Sequence, residues 1–312
     1  MPDAVTHCFL AENVKNSLKI PYLTEHFDLV QIGAQGPDPL FYYHYQPWKP
    51  NNGAKKLANR LHTESTKPYL ELLVRSAKDD ETKAWVAGFL THFALDTVAH
   101  PYVFYKTGLF DPATQQYRGY HLMLERAIDN IYIKRRGYFP SRYNIRNRHF
   151  YRTSVPDNVT QLLNDAGSKL YQAPNLGDLY DRAYRDLRSA FRVLNFDPIG
   201  FKKFIFKLID KVTKGDILFS ALSAYNCVLP GFNYMNTLHK PWCHPSTNEK
   251  FTHSFDDLFQ IASEKATRLI QLADDYYQSK NPAIFDAIED QSYDTGLACG
   301  TAPMKYFDII FD

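Results

Sequence analysis

His92, Asp96 and His100 follow one another at four-residue intervals, and His121 and Glu125 repeat the interval shortly after. Residues four apart on a helix point to nearly the same face. One helix would therefore present imidazole, carboxylate and imidazole along a single stripe, and the next an imidazole above a carboxylate. Those are the groups that bind Zn²⁺. Ionised side chains on a buried face are costly unless something pairs with them, and a metal removes that cost. The two ladders point to a multinuclear metal site. Seven of the eleven histidines (His7, His26, His44, His62, His92, His100 and His121) lie in the first 125 residues, with Asp38, Asp96 and Glu125 among them.

These groups need rigid supports. Gln35-Gly-Pro-Asp38-Pro reads as a stiff turn that fixes the direction of Asp38. Helical patterning runs from Glu81 to Val103, and His100-Pro101 supplies its stop, because a residue before proline is biased away from helix. A second helical stretch runs from about Ala54 to Ala77 and carries His62; Pro68 interrupts or divides it. Ser254 caps a helix over about Phe255 to Ser279. Alternating strand patterns are scarce, so the fold class is all-α, with roughly nine to eleven helices.

The 312 residues can bury a substantial core, and 45% hydrophobic and 15% aromatic residues argue for a globular chain. A net charge of +2 says little about partners. Cys8, Cys227, Cys243 and Cys299 form no CxxC pair and read as free thiols. No signal-peptide pattern and no run of 18 apolar residues stand out, so the expectation is a cytoplasmic protein without a transmembrane span. We read a single domain over 1–312, with a ligand-bearing core at 1–130, a basic excursion at 134–152 and C-terminal helices at 155–312.

Thr6-His7, Gly36-Pro37-Asp38, Leu61-His62, Gly88-Phe-Leu-Thr-His92-Phe-Ala-Leu-Asp96-Thr-Val-Ala-His100-Pro101 and His121-x-x-x-Glu125 occur in that order. In this the chain resembles the zinc-dependent phospholipases C and the related single-strand-specific zinc nucleases. The resemblance covers the first 125 residues and implies a cluster of two or three zinc ions at the end of a helical bundle. Carried over residue by residue, Asp38, His62, His92 and Asp96 would hold one ion and His100, His121 and Glu125 a second. Asp96 would bridge to a third that His7 helps to bind. In secreted members a free N-terminus completes that third site; here the amine of Pro2 or the carboxylate of Asp3 would stand in. The step from Asp96 to His100 is shorter than in the secreted phospholipases, yet keeps His100 on the helical face. We favour His62 over His44 as the ligand after Asp38 and place His44 on the pocket wall.

Zinc with an open position lowers the pKa of bound water to about 7, and a second zinc can stabilise the leaving oxygen of a phosphodiester. The family also suggests Asp38 as the catalytic residue that orients or deprotonates the attacking water. The expected activity is a phospholipase C-like phosphoric ester hydrolase; substrate-binding residues are not readable. One alternative is a single-strand nuclease or nucleotide phosphodiesterase, for which the basic and aromatic stretch Lys134–Arg152 could grip phosphates and stack bases. Another is a non-catalytic module with closed metal sites. Phe201–Val212 mixes lysines with bulky apolar residues: it is either an ordinary helix with a core-facing apolar side or an interfacial one. His239, Cys243 and His244 read as a structural loop that could cover the site.

Overall fold

The computed structural model describes residues 4–46, 48–50, 52–110, 114–212, 219–301 and 303–311. Thirteen α-helices run through them. α1 is Ala4–Ser17, α2 Pro21–Glu25, α3 Phe27–Gly33, α4 Ala54–Thr63, α5 Thr66–Ser76, α6 Asp80–Thr107 and α7 Gln115–Arg135. α8 is Ile145–His149, α9 Asp157–Tyr171, α10 Leu176–Ala190, α11 Phe201–Val212, α12 Phe255–Ser279 and α13 Ala283–Ala287. A single two-stranded antiparallel ladder, β1 (Trp242–Cys243) with β2 (Lys250–Phe251), is the only sheet among the described residues. The protein is all-α.

α6 is the axis of the fold. From Ala84 to Thr97 it is buried on every side, and α1, α3, α7 and α12 pack around it. Its start is fixed by a capping box: Asp79 Oδ1 accepts from Thr82 N (2.9 Å), and the Thr82 hydroxyl bonds back to Asp79 N (3.3 Å). Small residues set how closely α3 approaches. A Cβ on Gly33 would lie 2.0 Å from the Trp85 carbonyl oxygen, and one on Gly88 would lie 2.1 Å from that of Val30. Glycine on both helices brings their backbones into contact.

Two local expectations are corrected. α6 does not stop at His100-Pro101 but continues through Pro101 to Thr107. Proline removes one helical hydrogen bond, to Thr97 O, yet Ala99, His100, Pro101, Tyr102 and Val103 are all buried, and that packing outweighs the one lost bond. The Ala54–Ala77 stretch does divide, but at Glu64–Ser65 rather than Pro68. Pro68 falls in the first turn of α5, where no amide donor is needed. The Ser254 cap is present: its hydroxyl accepts from Asp257 N, and the Asp257 carboxylate bonds Ser254 N.

The stretch at 134–152 pairs three of its arginines with acids elsewhere in the protein. Arg135 pairs with Asp256 (2.6 Å), Arg136 with Glu12 and Arg152 with Asp28 (2.6 Å), while Arg148 lies over the rings of Tyr138 and Tyr143. His149 is buried beneath it. Gln31 Nε2 donates to its Nδ1 (2.8 Å), so the ring proton sits on Nε2 and is donated to the Tyr143 oxygen (2.7 Å). Burial, and then Arg136 and Arg148, push His149 down to about 4. The unfolded chain therefore takes up a proton here below its ordinary 6.5 that the folded chain refuses. Between pH 6.5 and 4 the parent is expected to lose about 3 kcal/mol of stability relative to His149→Gln. Denaturant titrations at both pH values check this, and parallel curves for the two proteins would show that His149 is not the group responsible.

Candidate metal centre

Four helices and one turn bring the ladders together. α1 carries His7, α4 carries His62, α6 carries His92, Asp96 and His100, and α7 carries His121 and Glu125. Asp38 opens a short 3₁₀ turn, Asp38–Tyr42, after α3. Ligand-type atoms within 4.8 Å of one another form three buried groups: His7 with His92 and Asp96, Asp38 with His62 and His92, and His100 with His121 and Glu125. All eight side chains singled out in the sequence fall in these groups. His44 does not: its Nδ1 faces the Pro50 carbonyl (2.8 Å) and its amide bonds Asp186. Neither His239 nor Cys243 joins a group; His244 Nε2 donates to Thr295 O (2.9 Å) in a structural loop.

Asp96 is the centre. Its Oδ1 lies 3.3 Å from His7 Nε2 and 3.7 Å from His100 Nε2; its Oδ2 lies 2.9 Å from His92 Nε2 and 3.9 Å from His62 Nε2. Asp38 Oδ1 sits 3.1 Å from His62 Nε2 and 3.9 Å from His92 Nε2. Glu125 Oε1 lies 3.0 Å from His121 Nε2 and 3.8 Å from His100 Nε2. The rings of His7 and His92 stack at 4.3 Å.

The histidine rings are held from behind. Nδ1 of His62 faces Ala58 O (2.8 Å), that of His92 faces Ala34 O (3.1 Å) and that of His100 faces Tyr293 O (3.0 Å). A carbonyl oxygen only accepts, so each Nδ1 carries a proton, and in the neutral ring Nε2 presents a lone pair to the cluster. In that state the His92 lone pair faces a carboxylate oxygen at 2.9 Å. Both oxygens of Asp96 and the Nε2 atoms of His7, His92 and His100 are buried with no hydrogen-bond partner among the described residues. Buried acceptors facing one another are costly, and a cation between them is the chemistry that resolves it.

The electrostatics agree. Burial drives His100 and His121 well below the ordinary imidazole range, and burial and then His92 lower His7. Burial also acts to raise Asp96, but His100, His92 and His7 outweigh it and hold the carboxyl well below its usual value. At His62 burial is outweighed by Asp38, so this imidazole is raised. An ionised central carboxylate beside imidazoles whose protons burial disfavours at His7, His100 and His121 suits metal binding, which takes the carboxylate and the neutral ring.

A family model described as zinc dependent phospholipase C matches residues 6–172. The chain belongs to the zinc-dependent phospholipase C family. No curated protein and no solved structure matches it. The three buried groups fit Zn²⁺ at two or three sites in a family whose members depend on it. The amine of Pro2 and the carboxylate of Asp3, considered for a third site, lie outside the described residues.

Two supporting elements were not read from the sequence. Asp129 stands one turn beyond Glu125 on α7 and receives Val5 N (3.0 Å), Thr6 N (2.8 Å) and the Thr6 hydroxyl (2.5 Å). It caps α1 and so fixes His7. Its signal was present, because 129 continues the four-residue step of His121 and Glu125. The second element is the segment at Tyr293-Asp294. Tyr293 N bonds His62 O (2.8 Å), its carbonyl holds His100, and its ring lies 5.3 Å from His62 and 5.8 Å from His92. Asp294 Oδ1 comes within 4.0 Å of His100 Nδ1. No local pattern announces these two residues.

Proposed function

We propose that this member of the family is a phosphodiester hydrolase that uses a cluster of two or three zinc ions to cleave a phospholipid head group. The observation that carries the reading is the His92–Asp96 contact at 2.9 Å, two buried acceptors face to face with the ring proton already committed to Ala34. In this proposal Asp38, His62, His92 and Asp96 hold one ion and His100, His121 and Glu125 another, while His7 and Asp96 serve a third. His92 also stacks on His7 and shares a group with it, so it can serve either of two neighbouring ions. One domain carries the activity, since Tyr293 and Asp294 close a cluster built from the first 125 residues.

Zinc, when bound, supplies Lewis acidity and lowers the pKa of coordinated water to about 7. The chain's own residues do the rest. The carbonyls of Ala34, Ala58 and Tyr293 orient three imidazoles and hold their protons on Nδ1. The Asp38 carboxylate, on the turn after α3 and beside the Phe41–His62 ring pair, would orient a water and accept its proton. The buried walls keep bulk solvent from the charges.

Asp38→Asn is expected to lower turnover of a phosphorylcholine diester by about 10²-fold or more, the range for loss of a general base. Elemental mass spectrometry on the same sample reads its zinc content. Full activity with zinc retained would sink the base role. The nuclease alternative is less favoured, because Arg135, Arg136 and Arg152 are committed to Asp256, Glu12 and Asp28. Cleavage of single-stranded oligonucleotides in preference to phospholipid would reverse that order.

A further inference from the structure

α11 is amphipathic, and its longer apolar stripe faces away from the protein. Phe201, Phe204, Ile205, Leu208 and Val212 follow the i, i+3, i+4, i+7, i+11 stripe of one face, and all five are exposed. Ile199, at the turn leading into the helix, is 79% exposed and Val212 is 82% exposed. No residue of α11 is buried.

The side that faces the protein is mixed: Phe206 and Ile209 are half-buried there beside Lys202, Lys203 and Asp210. Lys202 Nζ donates to the carbonyls of Arg192 (3.0 Å) and Phe196 (2.7 Å), and Lys203 Nζ donates to that of Ser220 (2.8 Å). Asp210 accepts from Phe219 N (2.7 Å) and Ser220 N (3.1 Å). Asp197, just before the helix, accepts from the amides of Lys202 (3.3 Å) and Lys203 (2.8 Å) and caps it. These bonds, with Phe206 and Ile209, attach the helix by the face opposite the stripe, and the only acid on α11 is turned inward. Lys207 and Lys211 remain exposed beside the apolar stripe. An outward apolar stripe edged by lysines fits a surface that is apolar below and anionic at its rim.

We infer that α11 is an interfacial helix that seats the protein on an anionic lipid surface, with Phe204 and Leu208 entering the acyl boundary and Lys207 and Lys211 facing the phosphates. A second copy of this chain is the poorer occupant. Two-fold pairing through this stripe would set each lysine edge close to a like-charged edge and cover it with no acid from α11. The inference lies outside residues 6–172 and goes beyond the hydrolase reading, on which it does not depend.

The test is co-sedimentation of the full chain with vesicles of phosphatidylcholine alone and of an equal mixture with phosphatidylglycerol, at low and high salt. The parent is expected to bind the anionic vesicles and to release as salt rises. Phe204→Asp with Leu208→Asp is expected to weaken partitioning by about tenfold or more. Lys207→Gln and Lys211→Gln are expected to weaken it by about fivefold each, on anionic vesicles only. Both sets should leave helical circular dichroism and hydrolysis of the soluble bis(p-nitrophenyl) phosphate unchanged. Failure of the parent to hydrolyse that ester would count against the hydrolase reading while vesicle binding still reported on α11. No binding by the parent, equal binding by parent and apolar variant, or a dimer in light scattering that the apolar variant dissolves would each overturn the inference.

Discussion

Asp96→Asn is expected to reduce bound zinc to one ion or none and to lower phosphodiester turnover by about 10³-fold. Among the described residues no other side chain is placed as Asp96 is: one carboxylate lies within 4 Å of the Nε2 atoms of His7, His62, His92 and His100. Asparagine keeps the shape but replaces one oxygen with an NH₂ group, which can coordinate nothing and can only donate. The −1 charge that offsets the ions at the centre of the cluster is lost with it. The amide can also satisfy one of the imidazole lone pairs directly, so the folded state is expected to survive. Elemental mass spectrometry, circular dichroism and a phosphorylcholine-ester assay on one preparation separate these effects. A folded variant that keeps two or three zincs and full turnover would remove Asp96 from the centre of the site.

Gly36→Ala is expected to destabilise the protein by about 3 kcal/mol and to displace zinc, although Gly36 itself offers no ligand. The residue has φ +51°, in the left-handed region, and a Cβ there would meet His92 at 2.1 Å (Cδ2) and 2.6 Å (Nε2). The conformational term is about 1–2 kcal/mol and the overpacking term about 1–3 kcal/mol. His92 has no room to yield: Ala34 O holds one side of its ring, His7 stacks on the other, and its backbone lies in the middle of α6. Gly53→Ala is the control. It too has positive φ, at +80°, but a Cβ there meets nothing within 4 Å, so only the conformational cost of about 1 kcal/mol should appear. Equal losses of stability and zinc in both variants would show that the contact with His92 does not matter.

Much of the centre is local in origin, and local features are what sequence displays. The four-residue steps among His92, Asp96 and His100, and between His121 and Glu125, state which side chains share a helix face whatever the rest of the fold does. The Ser254 cap and the division of the 54–77 stretch are local in the same sense. Pro101 shows where the local rule fails. A proline ends a helix when nothing else holds the next turn, but here the next turn is packed inside the core. Asp129 lay within the same periodicity as Glu125, yet its task, closing the N-terminus of α1, exists only once α1 and α7 meet.

The rest was decided by tertiary structure. The sequence by itself determined the ligand types, their order and their helix faces, because backbone periodicity converts spacing directly into direction. It could not determine which faces meet, because that depends on which surfaces exclude water together. Tyr293 fastens onto His62 and His100 from the far end of the chain, and no spacing encodes that approach. α11 makes the same point in reverse. Its periodicity predicts an apolar stripe, and only the assembled protein, which holds Lys202, Lys203 and Asp210 against its own backbone, turns that stripe outward. A stripe is a property of one segment, whereas its burial is a property of a pair.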